Sequence, residues 1–422
     1  MSGTLLLSAL GFLLAMGLLA AARFCVRPAM TYRTWWVALV ATELGHVGLL
    51  LAVGLACGMT WIGLRAADGV AVGLAVGATI QALIAAVLFA WPVVAAWRMS
   101  RRVASEIDAT FFTAGTPTGK LWSWRRLWRW PNSVERGAVE TFFAGETETE
   151  RTPSAGLPID FYRARAPMNR LSAGGDLPVP SVCVVVVHGG GWDSGDRAQL
   201  AAFNHWLAAR GVAVAAVSYR LAPLHPWPAQ RDDVRAAVTW VRANAERLGV
   251  DADRLVLLGR SAGAQIAAAT AYGAQLPGVR ALVALYGCYD MKFVWSIRSA
   301  TDSLNSDKLM QQFMGGGPEG TEAEQRYLSA SAESLVNPGV PPTLILHGAL
   351  DQLVWCRHSE RLAAALARAG VRHCFVRFPW ATHAGEANLH GPSGQLITGA
   401  VLRVALACTD GETVGRRASP SC

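Results

Sequence analysis

The amino-terminal part of the chain is dominated by three long apolar stretches, Leu5 to Ala22, Trp35 to Met59 and Val70 to Val94. Each is close to or above the roughly 18 to 20 residues that a helix needs to cross a bilayer, so an all-α segment of about three transmembrane helices is predicted. From about Ala138 the pattern changes. Short runs of β-branched residues alternate there with amphipathic segments, which predicts an α/β domain with a mostly parallel sheet and helices on both faces. Strands are expected at Val182 to Val187, Val212 to Ser218, Leu255 to Leu258, Ala281 to Tyr286, Thr343 to Leu346 and Cys374 to Phe378. Helices are expected at Ala229 to Leu248, Ala262 to Tyr272, His358 to Ala369 and Ser393 to Ala407. Lys292 to Ser334 breaks the alternation and is expected to form a partly helical insertion near a ligand crevice. The chain thus divides into a helical anchor (1–100), a juxtamembrane segment (101–136), an α/β domain (137–408) and a polar tail (409–422) expected to be disordered.

Finer features of the anchor carry their own expectations. Gly69, Gly73 and Gly77 recur every fourth residue, as do Gly54 and Gly58, a spacing that lets neighbouring helices approach closely. Glu43 and His46 fall within the second stretch, three residues apart on one face, and are expected to bond each other or a neighbouring helix, with a proton-relay or metal role as the alternative. The segment KLWSWRRLWRW, Lys120 to Trp130, places Leu121, Trp124, Leu127, Trp128 and Trp130 on one half of a helix and Arg125, Arg126 and Arg129 on the other. This suits either a helix lying in the membrane interface or a cap packed on the α/β domain; Trp122, among the arginines, fits neither. The first stretch has nothing basic before it except the amino terminus, so a retained span is expected rather than a cleaved signal.

Charge bears on partners and orientation. The net charge of +8 is carried almost wholly by residues 1–136, which hold 12 basic and 5 acidic groups, net +7. The α/β part is nearly neutral, which excludes the basic footprint of a nucleic-acid binder and makes anionic lipid the expected partner. Arg23, Arg27 and Arg33 follow the first stretch and Arg98, Arg101 and Arg102 the third, whereas the intervening loop has only Arg65 beside Asp68. By the positive-inside rule the α/β part is expected on the cytoplasmic side of a multi-pass membrane protein. The 8 cysteines have neither paired nor zinc-like spacing and are expected to be scattered thiols.

The candidate chemistry lies at strand ends. Gly259-Arg260-Ser261-Ala262-Gly263 joins the strand RLVLL to an alanine-rich helix, and a serine in such a turn is pushed out at the carboxyl edge of the sheet. His188-Gly189-Gly190-Gly191-Trp192 ends the strand VCVVVV. Its glycines leave backbone N–H groups unhindered, so Gly189 and Gly190, with Ala262, can supply an oxyanion hole. Asp351 follows the strand TLILHG and His383 follows CFVRFP. The order serine, acid, histidine suits a nucleophile (Ser261), an orienter (Asp351) and a base (His383). Of the remaining candidates, His188, His225 and His347 read as structural hydrogen-bond partners, and Asp232 and Asp233 as helix-opening charges. Asp290 is a possible second carboxylate at the site, and Glu386 a residue holding the His383 loop.

These segments carry a resemblance. From about Gly137 to Ala407 the chain resembles the α/β-hydrolase esterases related to hormone-sensitive lipase and bacterial carboxylesterases, through VHGGGWDSGD, YRLAPLHPWPAQRDDV, GRSAGAQIA, ILHGALDQLV and ATHAGE. The resemblance implies an α/β-hydrolase fold and hydrolysis of carboxylic esters through an acyl-enzyme on Ser261, Asp351 and His383, with no metal or organic cofactor. Arg260 and Ala264 depart from the aspartate and glycine usual in hormone-sensitive-lipase relatives. They bring the element closer to prenylcysteine methylesterase-like and arylformamidase-like hydrolases. The expected substrate is a small-molecule or lipid ester. The rivals are an amide hydrolase on the same triad and a non-catalytic membrane-tethered binding protein; the latter usually lacks at least one element that this chain retains. Oligomeric state is not readable from the sequence.

Overall fold

The computed structural model describes residues 3–112, 120–144, 156–165, 180–273 and 276–408; the expected disordered tail lies outside them. Among the described residues, eight strands form one sheet in the order β1-β2-β4-β3-β5-β6-β7-β8. They are β1 (Val139–Ala144), β2 (Leu157–Tyr162), β3 (Ser181–Val187), β4 (Ala213–Val217), β5 (Val250–Arg260), β6 (Val279–Leu285), β7 (Thr343–Gly348) and β8 (His373–Phe378). β1/β2 and β2/β4 pair antiparallel and the remaining pairs are parallel. The six expected strands are all present. The antiparallel pair β1 and β2 was missed because VETFFA and LPIDFY lack the β-branched runs of a doubly covered strand. The carboxyl ends come together in register, Val187 opposite Gly259, Arg260 opposite Leu285 and Gly348 opposite Phe378, so the loops leaving β3, β5, β7 and β8 share one edge.

Helices α6 (Ala201–Ala208), α7 (Ala229–Ala243), α8 (Ala245–Leu248), α9 (Ala262–Gly273), α14 (Arg357–Arg368) and α15 (Pro392–Ala407) belong to this part. The segment expected as an insertion holds α10 (Met291–Ile297), α11 (Ser306–Met314), α12 (Thr321–Ala330) and α13 (Ala332–Leu335). Alternating residues of the strands enter two apolar layers. On one face Val185, Leu257 and Ala284 meet Val234 and Ile266; on the other Val184, Val256 and Val283 meet Leu396 and Val401.

Before the sheet come α1 (Gly3–Ala22), α2 (Tyr32–Glu43), α3 (Gly45–Arg65), α4 (Gly69–Phe111) and the single turn α5 (Trp124–Leu127). Among the described residues, three helices are long and apolar enough to cross a membrane: Gly3–Cys25, counting the 3-10 turn after α1, then Gly45–Arg65 and Gly69–Phe111. The second span thus differs from the expected Trp35 to Met59. The stretch breaks at Leu44 (φ −115°, ψ 24°) into α2 and α3. Gly45 then lies so close to α4 that a Cβ would come within 2.5 Å of the Phe89 carbonyl oxygen. The third span also runs beyond its expected end. Ala96, Val103, Ala104 and Ile107 are buried in the same layer as Val184 and Val256, so one continuous helix crosses the boundary expected at residue 100 and covers the sheet.

The glycine pattern of the anchor did not locate its contacts. A Cβ on Gly54, Gly58, Gly69 or Gly73 would meet nothing within 4 Å, and of that set only Gly77 touches another helix, at Phe12. The seams are built instead from buried Ala71, Ala75, Ala78, Ala82 and Ala85 on α4, Ala52 and Ala56 on α3, and Gly11 against Met59. Alanine is small enough for close helix approach and costs less helix propensity than glycine. The KLWSWRRLWRW segment is divided between its two readings. Leu121, Trp122 and Leu127 are buried on the α/β part, and Arg126 donates to the Leu389 carbonyl (2.6 Å), whereas Trp124, Trp128 and Trp130 are exposed. Only one turn is helical, so the amphipathic arrangement expected from a full helix does not form.

Candidate active site

The turn between β5 and α9 holds Ser261 at φ +52°, a left-handed conformation rare for a residue with a Cβ. It is tolerated because the glycines two residues to either side, Gly259 and Gly263, pack directly against backbone. A Cβ on Gly263 would lie 2.2 Å from the His188 carbonyl oxygen, so only glycine lets the turn sit against the end of β3. Ser261 donates its N–H to the Leu285 carbonyl (2.9 Å), tying the turn to β6.

The three residues expected to act together are brought together from three loops. His383 Nε2 lies 3.0 Å from Ser261 Oγ, and His383 Nδ1 lies 2.6 Å from Asp351 Oδ2. Asp351 is buried; its other oxygen accepts from the N–H groups of Leu353 (2.9 Å) and Val354 (3.0 Å). Burial works against ionisation of this carboxyl, but His383 and His347 outweigh it and hold the carboxyl well below the usual carboxylate range. His347 also bonds Ser359 Oγ and the Val354 carbonyl, which fixes the loop leaving β7. The aspartate is thereby fixed as an acceptor facing the imidazole, and the imidazole faces the hydroxyl.

The glycine loop differs from its expected role at one position. The N–H of Gly189 is donated to Gln199 Oε1 (2.8 Å), whereas among the described contacts that of Gly190 has no partner and that of Ala262 opens α9. Gly190 at φ +127° approaches Ser194 so closely that a Cβ would lie 2.1 Å from its carbonyl oxygen. Donors for an oxyanion are therefore available at Gly190 and Ala262, and Gly189 braces the loop through Gln199.

Arg260, the departure noted in the nucleophile turn, has a structural reason. Its guanidinium is buried, with Nε 3.1 Å from Glu386 Oε1, and lies 4.6 Å from the centroid of the Phe203 ring. Tyr286 donates its hydroxyl to the same carboxylate oxygen and packs edge-on against His383. Glu386 thus holds the His383 loop as expected, through a partner the sequence did not reveal. The other candidates are structural. His188 stacks on Tyr219, and the His225 carbonyl accepts from Gln230. Asp233 differs from a helix-opening charge: it bonds the Arg220 N–H (2.8 Å) and guanidinium, while Asp232 pairs with Arg231. Asp290 caps α10 and pairs with Arg361 rather than facing the cavity.

The anchor also enters the site, which was not among the expectations. Trp35 of α2 donates Nε1–H to the His383 carbonyl (3.2 Å), and Trp35, Ala38 and Leu39 pack on Leu353, Ala384 and Ala387. Of the two arrangements expected for Glu43, the bond to His46 does not form and the bond to a neighbouring helix does. Glu43 accepts from the N–H groups of Ser393 (3.0 Å) and Gly394 (3.5 Å) at the start of α15, where helix dipole and unpaired donors favour an acceptor. His46 packs edge-on against Trp128. The signal that could have found this contact is the Tyr32/Trp35/Trp36 cluster before the second span, read as a separate interfacial helix.

Comparison with known proteins agrees with this architecture. The BD-FAE family model matches residues 176–366. Ethyl acetate hydrolase of Pseudomonas putida is 30% identical over 245 residues, covering 52% of this chain and 72% of that protein. Esterase LipC of Mycobacterium tuberculosis is 32% identical over 193 residues, covering 42% and 47%. The isoprenylcysteine alpha-carbonyl methylesterase ICME of Arabidopsis thaliana is 26% identical over 284 residues, covering 60% and 63%. Among solved structures, esterase LipW from Mycobacterium marinum superposes with a TM-score of 0.50 at 27% identity, covering 65% of this chain and 83% of that one. The chain belongs to the esterase family of α/β-hydrolases. It spans 47% to 50% of the length of LipC, LipQ and LipM from M. tuberculosis, the first relatives it matches.

Proposed function

We propose that this protein is a membrane-anchored serine hydrolase that cleaves carboxylic esters. The observation that carries the reading is the hydrogen-bonded series Ser261, His383, Asp351, beside the glycine loop and the first turn of α9. His383 takes the Ser261 proton as Oγ attacks the ester carbonyl; the N–H groups of Gly190 and Ala262 hold the oxyanion. The same proton passes from His383 to the leaving alcohol as the C–O bond breaks. Water, deprotonated by His383, then attacks the acyl-serine, and the acid leaves as Ser261 recovers its proton. Asp351 keeps His383 in the tautomer whose Nε2 accepts.

Three apolar helices support the anchoring. The arginines after the first and third spans, together with contact of both α2 and the end of α4 with the α/β part, support a cytoplasmic placement. The test is hydrolysis of a p-nitrophenyl ester series by the detergent-solubilised full chain, with fluorophosphonate labelling, beside Ser261→Ala. Turnover and labelling that both vanish in the variant are expected. A folded protein that neither labels nor turns over any ester would overturn the reading.

A further inference from the structure

The cavity containing Ser261, His383 and Gly190 has a volume of about 660 Å³ and is walled from two unrelated directions. One wall comes from the insertion, through Val294, Leu309 and Met310; the other comes from α2, through Tyr32, Trp35, Trp36 and Leu39. The two walls touch where Ser303 Oγ donates to the Met30 carbonyl (3.2 Å). Helix α2 joins two candidate spans and is separated from the second by Leu44 alone, so it lies at the level where those helices leave the bilayer. Its inner face, Trp35, Ala38 and Leu39, is buried on the active-site loops. Its outer face is apolar beyond the first turn: Tyr32, Trp36, Val37 and Val40 are exposed, and the one exposed charge on the helix, Arg33, sits in that first turn, where it can meet lipid head groups. A helix that is apolar on both sides is stable only with protein on one and lipid on the other. Trp36 belongs to both, lining the cavity while 51% exposed, and therefore stands at its mouth.

We infer that α2 is the apolar subsite of this enzyme, and that its substrates are bilayer-resident amphiphilic esters entering beside Trp36 with their hydrocarbon part still in lipid. The inference rests on the ester-hydrolase reading and adds the source and class of the substrate. An ester bond in such an amphiphile lies at head-group depth, the level of α2, so the carbonyl reaches Ser261 while the chain runs along Trp36 and Leu39. Entry from lipid spares the chain the passage through water that each buried methylene opposes.

The test uses the full chain reconstituted in phosphatidylcholine vesicles, with p-nitrophenyl palmitate in the bilayer and p-nitrophenyl acetate in the water, and compares kcat/KM for the two. Palmitate is expected to be favoured. Trp36→Glu is expected to lower the palmitate-to-acetate ratio by roughly tenfold to a hundredfold, the size of a lost apolar pocket contact, mainly through KM. Trp36→Leu should recover much of it. Val40→Glu, on the outer face but away from the cavity, should lower the ratio far less. Hydrolysis of neither ester would overturn the ester-hydrolase reading. Hydrolysis of acetate with no preference for palmitate, or equal ratios in wild type and Trp36→Glu, would overturn the subsite while leaving that reading intact.

Discussion

The buried pair Arg260 and Glu386 offers the sharpest quantitative test of how the site is held. Both side chains are essentially inaccessible, 1% and 0%, and the pair joins the residue before Ser261 to the residue three beyond His383. In Arg260→Met the carboxylate of Glu386 loses its counter-charge in a dry environment and keeps only the Tyr286 hydroxyl. Removing one partner of a buried pair typically costs about 3 to 5 kcal/mol, because the survivor remains desolvated and unpaired. Glu386→Gln keeps an acceptor for Tyr286 but strands the guanidinium, and is expected to cost a similar amount. At roughly 2 to 4 °C per kcal/mol for a domain of this size, each single change lowers the thermal midpoint by about 10 °C. The double variant carries no orphaned charge, since methionine fills much of the arginine's volume, and should lose only about 1 to 2 kcal/mol. The coupling energy from the cycle is then at least about 4 kcal/mol in favour of the pair. The assay is thermal unfolding in detergent followed by fluorophosphonate labelling of Ser261, for wild type, both singles and the double. Additive losses, with coupling under about 0.5 kcal/mol, would refute the claim that this pair ties the two loops together.

Three further outcomes follow from the geometry. Asp351→Asn retains the shape of the loop but presents an amide where His383 Nδ1–H needs an acceptor; kcat for p-nitrophenyl butyrate should fall by about 10⁴-fold with little change in thermal midpoint, and a loss under tenfold would remove Asp351 from its assigned role. Glu43 is buried, which pushes its carboxyl from 4.5 to about 8 against the hydrogen bonds from Ser393 and Gly394. The folded state therefore binds this proton more tightly than the unfolded chain. Stability is full below about pH 4.5 and declines as pH rises towards about 8, by at most a few kcal/mol. Glu43→Gln removes that decline, so thermal midpoints measured at about pH 5 and about pH 9 should differ less in the variant than in wild type. Gly190→Ala would force a Cβ to within 2.1 Å of the Ser194 carbonyl oxygen at φ +127°, and should abolish turnover through displacement of the glycine loop; wild-type kcat in this variant would show that the loop is not part of the site.

Much of this molecule was legible in its sequence, for a definite reason. The parallel strands, the turn around Ser261 and the positions of Asp351 and His383 are each set within a few residues, by β-branched runs, by glycines that backbone contact demands and by strand ends. Local patterns report local causes, and the α/β-hydrolase architecture then dictates that those strand ends meet. The three apolar helices were visible on the same terms. What the tertiary structure decided involves partners distant in the chain. Trp35 reaches the carbonyl of His383, Glu43 caps a helix that begins at Pro392, Arg260 answers Glu386, and Gly189 is occupied by Gln199. The break at Leu44 belongs to this group as well, since α2 is apolar enough to read as part of a span until its inner face is seen against Leu353 and Ala384. Hydropathy records that a residue avoids water; whether lipid or protein replaces that water is settled only when the chain is folded.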